Sequence, residues 1–564
     1  MTMHRSVDTE VAIIGAGPVG MALACELIRH GLRVRIFDKS PTTKTYSRAP
    51  VLWPRAQEAL DLMGLLPLWE GKTTSLRRMN VNIYGRPAGV VDLDACESAH
   101  RVPLMVGQDV TERILDQRLI ELGCPVSRST EALDVVLRVD GAAVTVRHRD
   151  GGIESFDAHW VIGCDGTQSL VREKAGIGWV GCRLDGLMVS VADTKARWTL
   201  PQGDGDAYVA LTAQGYLLAI PLPDRWRVIV ATPDVAGPDR QTTTSLKEVA
   251  KLVGDAIGGP VEFSDAPWVA VVRYGNYMAS DFRRGRALLA GDAAHSIAPL
   301  SGQGMNIGIQ DALDLAWKLA YVHKGWAPDT LLDSYTKDRR PVAQRLEQST
   351  NRFFRRVLKP GKWQRRAARI AAPIGLRSTT IRQKIAGFYT GTDIRYRDSP
   401  LSDGRRGHHP QPGEQIRDGE LVHWPDLAPM RLFDALRSGR WTVLLFTGRN
   451  FDAEELGKRC DQLQAMCDAV GADRIGALLI VGAPSAPALS ACAGMTIAID
   501  AWRALHKKYC AERGALLLVR PDGYVALHRA LRNEHFDALR SMLERLSGKA
   551  LANHCADGTV GLTA

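Results

Sequence analysis

The stretch that decides the fold is Gly15-Ala16-Gly17-Pro18-Val19-Gly20. It follows a short apolar run over residues 10–14 and precedes apolar residues at helical spacing over residues 22–28. A strand, a glycine turn and a helix in this order predict an α/β dinucleotide-binding fold. Gly15 permits the tight turn, Gly17 lets the backbone approach a pyrophosphate, and Gly20 allows the helix to pack on the strand. The start of the helix, with Pro18 and Val19, then faces the phosphates.

An acidic residue stands where such a fold binds a ribose. A second strand is predicted over residues 33–37, and Asp38 and Lys39 follow it directly. Because a carboxylate about 20 residues after the glycines accepts hydrogen bonds from a ribose, Asp38 and the adjoining Lys39 are expected at the nucleotide. The segment Gly176-Ile177-Gly178-Trp179-Val180-Gly181 matches the same glycine spacing. It follows a helical pattern instead of a strand, so we interpret it as a loop at a domain crossing.

Two further motifs each follow a predicted strand. Residues 159–163 lead into Cys164-Asp165-Gly166-Thr167-Gln168-Ser169. Residues 286–290 lead into Gly291-Asp292-Ala293-Ala294-His295, and then into Pro299-Leu300-Ser301-Gly302-Gln303-Gly304-Met305-Asn306. A long amphipathic helix is predicted next. Asp292 can bond hydroxyl groups of a ligand, or it can cap a helix that starts at Ala293.

The three ordered motifs, spread over about residues 8 to 400, resemble the class A flavoprotein monooxygenases. This is the family of para-hydroxybenzoate hydroxylase and of the phenol and polyketide aromatic hydroxylases. The resemblance implies FAD as cofactor, with Asp165 near its pyrophosphate and Asp292 at its ribityl chain or ribose. It also implies that Gly302, Gly304, Met305 and Asn306 line the isoalloxazine ring.

The same resemblance suggests residues for the chemistry. Arg48, in Tyr46-Ser47-Arg48-Ala49, matches an arginine that contacts FAD and the incoming nicotinamide cofactor, and Gln108 matches a polar contact to FAD. Pro299 is expected beside the flavin and the substrate, through its carbonyl. His295 titrates near neutrality as a residue type, but within this motif a structural role is favoured. No acid–base residue is identified.

The resemblance also predicts the domain organisation. Residues 1–184, with substrate-domain strands near 75–105, and residues 273–400 would form a Rossmann-like FAD-binding domain. An inserted mixed β-sheet substrate domain would occupy residues 185–272. Residues 401–564 resemble the thioredoxin-like third domain of the phenol hydroxylases, but Cys460 and Cys467 are too far apart for a redox dithiol motif. We expect a structural module there, or a contact between two copies of the chain.

Composition limits the remaining classes. Hydrophobic residues make up 45% and charged residues 24% of the chain, which is ordinary for a globular protein. Scattered cysteines without a Cys-x-x-Cys pair argue against a metal site or a disulfide framework and suit a reducing cytosol. A run of basic residues without intervening acids, from Arg352 to Arg369, is interpreted as a solvated helical face and not as a nucleic-acid site. The uncharged segment 475–499 is predicted as two strands and not as a membrane helix.

The resemblance implies a complete reaction. NADPH or NADH would reduce FAD, O2 would add to the reduced flavin at C4a, and the resulting hydroperoxide would hydroxylate a phenolic or polycyclic aromatic compound. An FAD-dependent epoxidase, reductase or dehydrogenase is an alternative. A non-catalytic flavoprotein that binds an aromatic ligand is another. The substrate and the position of hydroxylation cannot be inferred from the sequence.

Overall fold

The computed structural model forms two compact units, which we call the N-terminal and C-terminal units. The N-terminal unit comprises Met1–Ala316 and Asp338–Ile394, and the C-terminal unit comprises Trp317–Lys337 and Arg395–Ala564. The structure describes residues 8–43, 49–183, 187–200, 203–213, 215–233, 245–272, 275–298, 302–357, 361–403, 407, 409–449, 451–482, 492 and 494–548. The predicted division at residues 184, 272 and 400 stays a prediction.

Strands dominate the N-terminal unit. Its strands are β1 (Thr9–Ile14), β2 (Val34–Phe37), β3 (Val51–Leu52), β4 (Thr74–Ser75), β5 (Arg78–Ile83), β6 (Arg86–Asp92), β7 (Leu104–Met105), β8 (Glu131–Leu137), β9 (Ala142–Arg147), β10 (Ile153–Gly163), β11 (Trp179–Arg183), β12 (Leu187–Trp198), β13 (Asp206–Leu211), β14 (Tyr216–Pro221), β15 (Trp226–Pro233), β16 (Val261–Val272), β17 (Gly275–Ala279), β18 (Arg283–Arg284), β19 (Ala287–Leu289) and β20 (His295–Ser296).

The helices of this part of the chain include those predicted after the first and third motifs. They are α1 (Pro18–Arg29), α2 (Pro54–Leu62), α3 (Gln108–Glu121), α4 (Leu170–Lys174), α5 (Leu246–Ile257), α6 (Gly304–His323), α7 (Asp333–Val357), α8 (Lys362–Gly375) and α9 (Thr379–Thr390). The last residues of α6 and the first of α7 belong to the C-terminal unit.

The first sheet aligns the ends of the strands that carry the motifs. Among the described residues its order is β18-β19-β10-β1-β2, with β9 on β10 and β8 on β9. The strands β2, β1, β10 and β19 run parallel, and Ile14 is in register with both Phe37 and Gly163. Because Gly163 is in turn in register with Leu289, the three motif loops and Asp38 leave the sheet at one carboxyl edge. This edge is where nucleotides bind in parallel sheets.

A second sheet in this unit has two differently packed faces. Its order is β16-β12-β15-β14-β13-β5-β6, so the strands of residues 78–92 join those of residues 187–272. Side chains alternate between the faces, as the strand period requires. One face, with Val191, Leu218 and Ile229, belongs to a core cluster that also contains Trp53 and Ala386. The opposite face packs against α5. We call the first of these the Trp53 face of the sheet.

The C-terminal unit is built on one mixed sheet. Its strands are β21 (Glu420–Trp424), β22 (Pro429–Arg431), β23 (Trp441–Phe446), β24 (Ile475–Val481), β25 (Thr496–Ile499), β26 (Ala515–Val519) and β27 (Val525–Ala530), in the order β22-β21-β25-β24-β23-β26-β27. Its further helices are α10 (Leu432–Leu436), α11 (Ala453–Val470), α12 (Ala504–Lys508) and α13 (Glu534–Ser547). The thioredoxin-like assignment stays a prediction.

Two expectations need correction. Cys460, which sequence reasoning compared only with Cys467, forms a disulfide with Cys492, so the expectation of unpaired cysteines is wrong for this pair. The error arose because the partner is 32 residues away in sequence and only tertiary folding brings it close. The glycine-rich segment at residues 176–181 is also not a loop throughout. Trp179 begins β11, which pairs with β17, and the backbone of Asn276 lies so close to Gly181 that no side chain fits there.

Other expectations agree with the structure. The segment 475–499 contributes β24 and β25, as predicted. The α8 part of the basic run has no buried residue, which supports a solvated helical face. None of the helices within the described ranges combines the length and the apolar character needed to cross a bilayer.

Candidate functional site

The first and second motifs are in direct contact. Gly15 has a φ of +100°, and a Cβ at this residue would lie 2.3 Å from the carbonyl oxygen of Cys164. The N–H of Cys164 donates to the carbonyl of Ile14 at 2.7 Å. Only glycine fits at position 15, because both the conformation and the space exclude a side chain. The tight turn inferred from the sequence is therefore confirmed.

Contacts through Val19 join the first and third motifs. A Cβ at Gly308 would lie 2.4 Å from Cγ2 of Val19, and one at Gly291 would lie 3.0 Å from the same atom. The second and third motifs are joined by Arg172, which donates through Nη1 to the carbonyl of Ala293 at 3.0 Å. All three motifs thus meet at the carboxyl edge of the first sheet.

The start of α1 leaves room for an anionic group. Gly17 is the N-cap of α1, no side chain caps this helix end, and a Cβ at Gly17 would meet no described atom within 4 Å. The first N–H groups of a helix have no partner within the helix, and its dipole favours negative charge there. Gly17, Pro18 and Val19 therefore fit the pyrophosphate of a dinucleotide.

Asp38 is fixed by the loop that it borders. Its Oδ2 accepts the N–H of Ala16 at 2.7 Å, and its Oδ1 accepts the N–H of Ser40 at 2.8 Å. A carboxylate has about four acceptor positions, so two backbone bonds leave capacity for ribose hydroxyls. Lys39 is exposed at the same turn.

Asp165 is anchored through one oxygen only. Its Oδ2 accepts the N–H of Leu170 at 2.7 Å, whereas its buried Oδ1 has no hydrogen-bond partner among the described residues. Burial raises the pKa of this carboxyl group, against the lowering effect of the Ser169 side chain and nearby backbone N–H groups. A buried acceptor without a donor is costly, so Oδ1 is suited to a hydrogen bond from a ligand.

Asp292 and Gln108 occupy different environments. Asp292 is exposed within a short 3₁₀ helix, Gly291–Ala293, whose N-cap is Ala290. The alternative that Asp292 caps a helix starting at Ala293 is therefore wrong, because no such helix starts there. Gln108, the first residue of α3, is buried, and its Nε2 donates to Glu112 Oε1 at 2.9 Å.

The side-chain amide of Asn306 holds the turn that leads into α6. Asn306 accepts the N–H of Trp53 at 2.7 Å and donates to the carbonyls of Val51 and Gly302, each at 2.9 Å. Gly302 has a φ of +61°, and a Cβ at Gly304 would meet no described atom within 4 Å. Met305 is 9% exposed. We call residues 302–306, of which the last three begin α6, the α6 loop. Its open glycine and anchored Asn306 fit the edge of a planar ring system.

A tyrosine pair next to this loop, with Tyr216 buried and Tyr389 half-buried, was missed by sequence reasoning. The hydroxyl groups of Tyr216 and Tyr389 are hydrogen-bonded to each other. Tyr389 lies against Trp53, with ring centroids 5.9 Å apart, and Gln303 donates to its carbonyl at 2.8 Å. Burial raises the pKa of both hydroxyl groups, so the pair stays protonated over the ordinary pH range. No local motif marks either residue, because one starts β14 and the other ends α9.

His295 belongs to a buried ionic cluster. Its Nε2 lies 2.6 Å from Asp311 Oδ2, and Arg339 donates to Asp311 Oδ1 at 2.7 Å. Burial opposes ionisation of Asp311, but His295 and Arg339 outweigh it and lower the pKa. Asp311 also accepts the N–H of Gly291, at 3.1 Å. This arrangement supports a structural role for His295 in holding the third motif.

Two residues predicted to take part in the reaction, Pro299 and Arg48, lie outside the described residues. Within the described ranges, no group of three or more His, Cys, Asp or Glu side chains is arranged to hold a metal ion. The described site therefore consists of backbone N–H groups, carboxylates, amides and buried hydroxyls. Such groups can bind a dinucleotide and orient an aromatic ring, but the redox chemistry must come from a cofactor.

Two family models match the chain. The model described as "FAD binding domain" matches residues 8–350, and the model described as "Aromatic-ring hydroxylase, C-terminal" matches residues 409–550. The first match contains all three motifs. The second covers most of the part of the chain that follows residue 400.

Known proteins resemble the chain over most of its length. The 6-methylpretetramide 4-monooxygenase of Streptomyces rimosus is 33% identical over 92% of this chain and 90% of that protein. The pentachlorophenol 4-monooxygenase of Sphingobium chlorophenolicum is 27% identical over 92% and 94% of the two chains. The solved structure of an anhydrotetracycline hydroxylase from Streptomyces rimosus is 26% identical, covers 96% of this chain and 99% of its own, and superposes with a TM-score of 0.72.

Proposed function

The chain belongs to the class A FAD-dependent aromatic monooxygenases, and we propose that it uses NADPH or NADH and O2 to hydroxylate a phenolic or polycyclic aromatic compound. The observation that carries this proposal is the position of the Tyr216–Tyr389 hydroxyl pair beside Trp53 and the α6 loop. Two hydroxyl groups that can bind a phenol therefore lie next to the loop that is predicted to hold the edge of the flavin ring.

The residues that would hold FAD follow from the site. The pyrophosphate is assigned to the start of α1 at Gly17, the ribose to Asp38, and the ribityl chain to Asp292. Asp165 and Gln108 would complete the polar lining, and the α6 loop would carry the ring. FAD, when bound, supplies the redox chemistry by accepting a hydride and activating O2.

The Trp53 face of the second sheet would form the wall of the substrate site. Its side chains Val191, Leu218 and Ile229 are apolar and at most 6% exposed. An apolar wall excludes water, which protects a reactive oxygen donor from hydrolysis and strengthens hydrogen bonds within the site. It also binds flat aromatic compounds through dispersion and the hydrophobic effect.

The tyrosine pair would act as a hydrogen-bond donor. An aromatic ring is attacked more readily by an electrophilic oxygen when its hydroxyl group is deprotonated. Because burial keeps Tyr216 and Tyr389 protonated, they are poor bases but good donors to a phenolate oxygen. We therefore assign to the pair the stabilisation of the phenolate form of the substrate.

The proposal also includes the nicotinamide cofactor as electron donor and roles for Arg48 and Pro299. Arg48 would pair with a phosphate of the nicotinamide cofactor, as a guanidinium does bidentately. Pro299 would contact the flavin and the substrate through its carbonyl. The family supports transient binding of the nicotinamide cofactor on the FAD-binding region, as does the sequence, in which only one of the two glycine motifs stands between a predicted strand and a predicted helix.

The test is a screen of phenols and polycyclic aromatics for stimulated NADPH and NADH oxidation, followed by product analysis. With an active compound, Tyr216→Phe and Tyr389→Phe should each lower hydroxylation at least about tenfold, since a donor to developing charge is lost. The pH of half-maximal hydroxylation should also rise. Tyr208→Phe is the matched control. Tyr208 is buried in the same sheet and is in register with Ala219, but its side chain lies on the face opposite to the Trp53 face. Unchanged activity and pH profiles in both variants would refute the assigned role.

A further inference from the structure

Three strand ends meet at one edge of the sheet in the C-terminal unit. β23, β24 and β25 are parallel neighbours, and they are followed by Thr447, Gly482 and Asp500. The N–H of Thr447 donates to Ile480 at 3.1 Å, and the N–H of Asp500 donates to Val481 at 3.0 Å. Ligands of α/β sheets bind outside the carboxyl ends of parallel strands, so this edge is a candidate ligand site.

Two nitrogen-bearing side chains converge over Gly482. A Cβ at Gly482 would lie 2.9 Å from Cζ of Arg503 and 2.9 Å from Cε1 of His506. His506 is fully buried, and Arg503 is partly exposed next to Trp502, which is 86% exposed. The two side chains therefore lie side by side against Gly482, His506 in the interior and Arg503 at the edge of the surface.

Three side-chain nitrogens of Arg503 and His506 lack partners in the described part of the chain. The buried Nε and Nη2 of Arg503 have no hydrogen-bond partner among the described residues, and the same holds for Nε2 of His506. Buried donors are rarely left unsatisfied, and an unpaired buried charge is especially costly. Nε and Nη2 form the edge with which a guanidinium group binds two oxygens of one anion.

Asp500 fixes the imidazole of His506. Nδ1 of His506 lies 2.8 Å from Asp500 Oδ2, and the ring of Phe446 packs perpendicular to it at 5.2 Å. Burial opposes ionisation of Asp500, but hydrogen bonds from the side chain and backbone of His506 lower its pKa. In the neutral imidazole the carboxylate therefore holds the proton on Nδ1 and leaves Nε2 as an acceptor without a partner among the described residues.

We propose that Arg503 and His506 form a binding site for a small oxyanion, a phosphate or a carboxylate group. The Nε–Nη2 edge of Arg503 donates to two oxygens, and Nε2 of His506 accepts a hydrogen bond from a hydroxyl group of the ligand. This site lies in the C-terminal unit and is independent of the assigned function in the N-terminal unit. A bound anion that carries a hydroxyl group, such as hydrogen phosphate, would satisfy three buried nitrogens that have no partner among the described residues.

The experiment uses the full-length, FAD-loaded protein in a buffer free of other oxyanions. Inorganic phosphate and acetate are titrated separately by calorimetry, and the imidazole signals of His506 are followed by NMR. Arg503→Gln should weaken binding of the preferred anion at least about tenfold, because the bidentate edge is lost. His506→Gln should weaken it less. Arg449→Gln, which removes an exposed arginine paired with Glu512, should leave binding unchanged.

The two anions distinguish the source of the ligand group. Tighter binding of phosphate assigns the site to a phosphoryl group, and tighter binding of acetate assigns it to a carboxylate. If Arg503→Gln is misfolded, Arg503→Lys, which keeps the charge without the planar edge, replaces it and should also weaken binding. The proposal would be overturned if the wild type and the folded Arg503 variants bound the anion with equal affinity. It would also be overturned if Arg503→Gln and Arg449→Gln weakened anion binding to the same extent.

Discussion

The backbone N–H of Trp53 donates to Oδ1 of Asn306 at 2.7 Å, although 253 residues separate the two. Nδ2 of the same Asn306 side chain donates to the carbonyl of Val51. One side chain thus joins the α6 loop to β3 and to the aromatic residue that contacts Tyr389. This links the predicted flavin edge to the predicted substrate wall.

Replacing Asn306 by Ala should therefore weaken FAD binding. The N–H of Trp53 and the carbonyl of Val51 would lose their partners in a buried place, at about 1–3 kcal/mol each. We expect the FAD dissociation constant, measured by flavin fluorescence, to rise about tenfold or more. Asn80→Ala is the control, because the side-chain bond that Asn80 makes to a described residue is long, at 3.4 Å. Equal affinity in both variants would show that the anchored loop does not contact FAD.

Gly17→Val should yield a folded protein without FAD. Gly17 has a φ of −74°, and a Cβ there would meet no described atom, so the valine itself is tolerated by the protein. Its methyl groups would occupy the space assigned to the pyrophosphate. Gly494→Val is the matched control, since Gly494 is equally open. Circular dichroism checks the fold and flavin absorbance checks the cofactor, and a normal flavin content in Gly17→Val would refute this assignment.

Asp292→Ala should lower FAD affinity without loss of fold. A charge-assisted hydrogen bond is worth about 1.5–3 kcal/mol, which corresponds to about tenfold or more in the dissociation constant. Asp292→Asn keeps an acceptor and should lose less. Because Asp292 caps no helix, thermal unfolding of the FAD-free proteins should be similar in all three. An unchanged dissociation constant in Asp292→Ala would remove this residue from the site.

The stability of α1 should depend on pH through Glu26. Burial opposes its ionisation, but Arg29 and His30 lower the pKa from 4.5 to about 2. A carboxyl group with a lowered pKa stabilises the fold above about pH 4.5, and this contribution disappears as the pH falls towards about 2. Glu26→Gln should cost about 2 kcal/mol at pH 7 and less with increasing acidity.

The control for this prediction is Glu121→Gln, because Glu121 is an exposed residue of α3 that is paired with Arg118. Its unfolding free energy should change little at any pH, as is usual for surface ion pairs. Denaturant unfolding at several pH values measures both variants. A constant difference between the wild type and Glu26→Gln from pH 7 to pH 3 would contradict the linkage to Glu26.

Local patterns were enough to predict the strands and turns that bring the three motifs to one edge of the first sheet. Each motif follows an apolar strand, and the turns at Gly15 and Gly302 need glycine for conformational reasons that a sequence reveals. Periodicity is a property of neighbours in the chain, so it can be read from one sequence.

Contacts between distant residues could not be predicted in this way. Tyr216 and Tyr389 lie in unrelated elements, and no spacing rule connects them. The partner of Cys460 was missed for the same reason, since Cys492 follows a separate segment of chain. Arg503 and His506 lie in a short helix whose pattern is ordinary, and their unpaired nitrogens become visible only in three dimensions.

The central claim is that this chain inserts one atom of O2 into an aromatic compound, with bound FAD and a nicotinamide cofactor. The most direct measurement is mass spectrometry of the product formed from an active phenolic or polycyclic compound under oxygen-18 gas, with NADPH or NADH as reductant. We predict a hydroxylated product that carries one labelled oxygen atom and whose amount follows substrate-dependent NAD(P)H oxidation. Label-free product, or NAD(P)H oxidation that yields only hydrogen peroxide with every compound of the screen, would contradict the claim.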